Sequence, residues 1–105
     1  AEKVFQEILK RAPNNSAAND GLLRCYLYQE KFSQMGLILN KMIESMPSDV
    51  LLYKKRAYVQ FKLGDPGKAA QDVQRAVALT EESNGSVRDD PELLQLIKML
   101  DGNER

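Results

Sequence analysis

Shifted by 34 positions, the 105-residue chain overlays itself. Pro13 falls on Pro47 and Asn15 on Asp49, while Phe5 falls on Leu39 and then Val73. Leu9 falls on Ile43 and then Val77, Lys41 on Arg75, and Tyr26 and Leu27 on Gln60 and Phe61. A period of this size marks a chain built from one supersecondary unit that cannot bury its apolar face alone and stacks to do so. The length of the period accommodates two helices and two short turns, so the expected architecture is an array of helical hairpins.

The local signals agree. Val4, Phe5, Ile8 and Leu9 recur at helical spacing. Pro13-Asn14-Asn15 breaks that pattern, and Ser16 is placed to cap a second helix running to about residue 29, with Leu22, Leu23, Cys25, Tyr26 and Leu27. A third helix is expected from about 33 to 45, ended by Pro47. Ser48-Asp49 caps a fourth, through Leu63. Gly64-Asp65-Pro66-Gly67 is a strong turn signal, followed by a fifth helix from 66 to about 82. Residues 83–89 read as a loop. Asp90-Pro91 starts a sixth helix, with Leu93, Leu96, Ile97 and Leu100 on one stripe. No stretch alternates with period two, so no sheet is expected.

The segment 50–83 has aromatic Tyr53, small Ala57, Ala69 and Ala76, and Gly64-Asp65 at its turn. In these features it resembles the tetratricopeptide repeat (TPR) family, whose 34-residue unit is a pair of antiparallel helices. Residues 16–49 resemble it through Leu22, Tyr26, Phe32 and Pro47. Leu23, Met35 and Met42 stand where the family prefers glycine or alanine. Residues 1–15, with Ala1, Phe5 and Pro13, look like the second helix of a preceding repeat. The resemblance implies an all-α, right-handed superhelix of helix hairpins in a single domain, 1–105, with a capping helix at 90–101. Because the chain begins inside a helical pattern, it reads as part of a longer one. The resemblance also explains alanine in a helix that must pack: a methyl group at a crossing lets two backbones approach to about 8–9 Å.

No constellation points to catalysis, a metal or a cofactor. The chain has no histidine, which removes the commonest general base and metal ligand. The one cysteine, Cys25, cannot form an internal disulfide or build a zinc site alone, and it suits a reducing, cytoplasmic setting. The turn at residues 64–67 lacks the Lys-Ser/Thr pair of a phosphate loop. Lys+Arg and Asp+Glu are 15 each, so there is no basic excess for nucleic acid. No apolar run suffices for membrane insertion. The expected function is therefore a non-enzymatic one exercised through surface shape.

In the TPR family, the first helix of each pair lines a concave face. The resemblance places Ala17, Asp20, Arg24, Leu27 and Tyr28 there from one helix, and Leu51, Lys54, Tyr58, Phe61 and Lys62 from the next. The candidate partner-binding residues are Arg24, Leu27, Tyr28, Lys54, Tyr58, Phe61 and Lys62: aromatic and apolar anchors with cations that favour an acidic or C-terminal peptide segment of another protein. A subset of the family clamps chaperone tails with Lys, Asn and Arg side chains. Here the clamp positions fall on Asp20, Arg24 and Lys55, which do not match. The alternative is a structural segment that terminates or dimerises a solenoid, and self-association through the sixth helix is its expected sign. A pentatricopeptide RNA binder has a period near 35 and is basic, unlike this chain.

Overall fold

Three of the helix ends share one device. The chain turns through a left-handed residue after the second, fourth and fifth helices, at Glu30 (φ 56°), Gly64 (φ 82°) and Asn84 (φ 62°). In each case the next amide reaches back five residues: Lys31 to Tyr26, Asp65 to Gln60 and Gly85 to Thr80, all at 2.9 Å. These are Schellman closures, which satisfy otherwise orphaned carbonyls. Glycine adopts such a φ without steric strain. Glu30 sits at the same repeat position as Gly64 and adopts it regardless.

The computed structural model describes residues 1–103. They form α1 (Glu2–Arg11), α2 (Ser16–Tyr28), α3 (Phe32–Ser45), α4 (Val50–Lys62), α5 (Pro66–Glu82) and α6 (Pro91–Asn103), with a 3-10 turn at Val87–Asp89 before α6. No strand occurs among the described residues. The start of α2 differs from the sequence expectation in one detail. Its capping side chain is Asn15, accepting from the Ala18 amide at 2.9 Å, and not Ser16. Asp49, Asp65 and Asp90 cap α4, α5 and α6 in the same way. The stretch expected to be a plain loop contains the 3-10 turn, capped by the Ser86 side chain.

Helices pack in chain order: α1 on α2, α2 on α3, α3 on α4, α4 on α5, with α6 closing on both α4 and α5. The result is a slab of 41 × 31 × 19 Å. One apolar core runs through it, and Leu39, Val59 and Leu93 are completely enclosed. The alanines behave as the repeat pattern requires: Ala57, Ala69 and Ala76 are fully buried, and the α4–α5 pair is the most intimate in the molecule. The α2–α3 pair is looser. Its equivalents of those alanines are Leu23, Met35 and Met42, also buried, and their bulk holds the two backbones apart. At the first crossing, a glycine takes the role of alanine. Gly21 lies directly beneath the Phe5 ring, leaving no room for a Cβ.

Two polar links tie the layers. Arg56 grips the buried Asp72 carboxylate with two hydrogen bonds, 2.8 and 2.7 Å, and donates a third to Asn40 at 3.0 Å. The hydrogen bond to Asp72 raises the Arg56 pKa; burial opposes this, and the Asp72 charge reinforces it. The buried Tyr53 donates its hydroxyl to the Pro47 carbonyl at 2.7 Å, fixing the entry to α4. The α6 stripe is only partly as expected. Leu93 and Leu96 are buried against the stack, but Ile97 remains 37% exposed.

Candidate functional site

The α2 and α4 backbones do not approach each other closely, whereas α4 and α6 pack directly. An open groove of about 730 Å³ results, walled by α2, α4 and α6. Its apolar surface comes from Leu23, Leu27, Met35, Tyr58, Leu96 and Met99. Two of these, Leu23 and Met35, are the bulky residues at positions where alanine would have let helices close. The residues that loosen the first hairpin thus also line the groove.

Four of the seven residues proposed from sequence line the groove: Arg24, Leu27, Lys54 and Tyr58. Tyr28 is 89% exposed and stands outside its lining. Phe61 also lies outside the lining, partly buried and packed against the core. Lys62 is exposed, with its ammonium 5.5 Å from the centre of the Tyr58 ring, a cation–π arrangement at the groove edge. Tyr58 is itself held by an edge-on contact with Phe32.

Lys54 differs most from expectation. Its side chain is only 12% exposed, and its ammonium lies 2.8 Å from the Asp90 carboxylate and 4.0 Å from Glu92. Asp90 also caps α6 through the Leu93 amide at 3.0 Å. Burial acts to raise the Asp90 carboxyl. The Lys54 hydrogen bond, the Leu93 and Glu92 amides and the Lys54 charge outweigh it and hold the carboxyl below the ordinary range. Lys54 therefore latches α6 to α4, and its charge is already matched. Lys55 lies 4.0 Å from Asp20 across the groove. Arg24 is exposed and has no ion-pair partner among the described residues.

Sequence reasoning passed over the third wall. Pro91, Glu92, Gln95, Leu96 and Met99 of α6 line the groove. The repeat register places a new first helix near residue 84, seven positions before α6 begins. Its apolar stripe gave the only usable signal, and that stripe indicated burial without saying beside what.

No family model matches the sequence, and no curated protein matches it. Among solved structures, the fold is similar to that of the TPR2B domain of yeast Sti1 in its complex with pHsp70. The two share a TM-score of 0.80 and 25% identity over 100% of this chain and 82% of that one. The chain has a TPR-type fold. In this TPR-type domain, α2 and α4 are the first helices of successive hairpins, and α6 stands beside α4 where a further first helix would follow. No described helix is long and apolar enough to cross a membrane, and the described residues contain no cluster of metal-ligating side chains.

Proposed function

We propose that this TPR-type domain is a non-enzymatic protein-interaction module that holds a segment of a partner protein in the groove between α2, α4 and α6. One observation carries the reading: the first helices, instead of closing on each other, leave an apolar recess of about 730 Å³, within the size range of sites that enclose a ligand, roughly 300–1,000 Å³. The similar Sti1 domain was solved in complex with pHsp70, which supports a protein as the partner class. A chaperone tail itself is disfavoured here, because Asp20 lies in the groove where the clamp of chaperone-binding relatives carries a cation. Micromolar affinity, about −8 kcal/mol, suits so short a groove.

The test is co-purification of partners with wild type, with Leu27→Asp and with Leu37→Asp. Leu37 is an exposed residue of α3 away from this groove. Loss with Leu27→Asp alone supports the reading, and equal recovery with all three refutes it.

A solenoid-end role is the second reading. The observation favouring it is α6, which closes on both α4 and α5 and buries Leu93 and Leu96 against them.

A further inference from the structure

Resting on the reading of the groove as a binding surface, we infer that its partner is an apolar protein segment: two or more large apolar side chains with a single carboxylate, and not an acidic run. The charges in and beside the groove decide this. Arg24, Lys54 and Lys55, with Lys62 at the edge, are the cations, and Asp20, Glu92 and Asp90 are the carboxylates. Lys54 is taken up by Asp90 at 2.8 Å, and Lys55 faces Asp20 at 4.0 Å. With cations and anions nearly balanced, the groove has little net field to collect a polyanionic peptide, and Glu92 and Asp20 would repel one. Of the cations lining the groove, Arg24 alone has no ion-pair partner among the described residues, so it can pair with one carboxylate, from a side chain or a chain terminus. Between these charges lie leucine, methionine and tyrosine side chains.

The magnitudes favour the apolar surface. An exposed ion pair at Arg24 alters affinity by at most about fivefold. Burying one leucine-sized side chain contributes roughly tenfold to a hundredfold. Met99, only partly buried on the groove wall, adds a surface that reshapes around different apolar side chains, so anchor size and charge pattern constrain the partner more than an exact sequence does.

The experiment is a random-peptide phage selection on the whole 105-residue chain, with each recovered peptide titrated against wild type, Leu27→Asp, Arg24→Gln and Leu37→Asp. Circular dichroism melts confirm that the variants are folded. The inference predicts peptides rich in Leu, Met or Phe with one acidic group. Leu27→Asp should weaken them about tenfold or more, Arg24→Gln about two- to fivefold, and Leu37→Asp not at all. Raising salt from about 0.1 to 1 M should change their affinity less than about threefold. Peptides that depend on Leu27 but carry acidic runs and no apolar anchors would overturn the inference and leave the groove reading standing. Peptides indifferent to Leu27→Asp, or no peptides at all, would overturn both. A dimer of the free chain that Leu27→Asp dissolves would make a second copy the occupant, and the inference would again fail.

Discussion

Ala76 and Met42 occupy the same position in successive hairpins, and exchanging their residue types should destabilise the protein in both places, by different mechanisms. Both are buried, Ala76 completely. Ala76 faces the closest helix pair, α4 and α5. In Ala76→Met, the remainder of a methionine side chain has to enter a crossing set by methyl groups. Overpacking of this kind costs about 1–3 kcal/mol, and the tight pairing puts the expected value near 2 kcal/mol. At roughly 4–8 °C per kcal/mol for a domain of this size, the thermal midpoint should fall by about 8–16 °C. Met42→Ala instead leaves a void in the wider α2–α3 hairpin, costing about 2–5 kcal/mol. Thermal melts monitored by circular dichroism measure both. An unchanged midpoint in Ala76→Met would refute the claim that small residues set the helix spacing. A harmless Met42→Ala would refute the claim that bulk holds the first hairpin open.

Three other outcomes follow from the geometry. Gly21→Ala should push Phe5 off α2, since a methyl group overlaps the ring; the helix-propensity gain of about 1 kcal/mol offsets part of the loss, and hydrogen exchange should show α1 amides losing protection first, because no residue of α1 is fully buried. Glu30→Gly should stabilise the domain by about 1 kcal/mol, by relieving a left-handed non-glycine residue, visible as a higher urea midpoint. The Asp90 carboxyl is held below its usual range in the folded state. Its contribution is therefore complete above the unfolded value, near pH 4, and is lost as pH falls through the lower folded value. Melts across that interval should show α6 loosening in wild type, and Lys54→Met should flatten that part of the pH profile.

Much of the fold was legible because helix ends carry local chemistry. Asp49 and Asp90 announced two caps, and Gly64-Asp65-Pro66-Gly67 announced a turn, without reference to tertiary structure. What local signals leave undetermined is which helix a stripe meets. Nothing in the local sequence marks Gly21, since only the arrival of Phe5 from α1 gives it a function. The groove was half legible for the same reason. The family resemblance assigned Arg24, Leu27, Lys54 and Tyr58 to the concave face. It could not show that Asp90, 36 residues later, would take the Lys54 charge, nor that α6 would supply a wall. Phe61 shares the periodicity of the concave face but lies at the end of α4, where neighbouring helices cover it partly.

Photo-crosslinking from single positions tests the central claim most directly. A photoreactive amino acid is placed at Leu27, in the groove, or at Leu37, on the exposed face of α3, and each protein is irradiated with a partner or selected peptide bound. Crosslinks from Leu27, suppressed by an excess of unlabelled peptide and absent from Leu37, are the predicted result. Crosslinks from Leu37 and none from Leu27 would place the partner elsewhere and contradict the account.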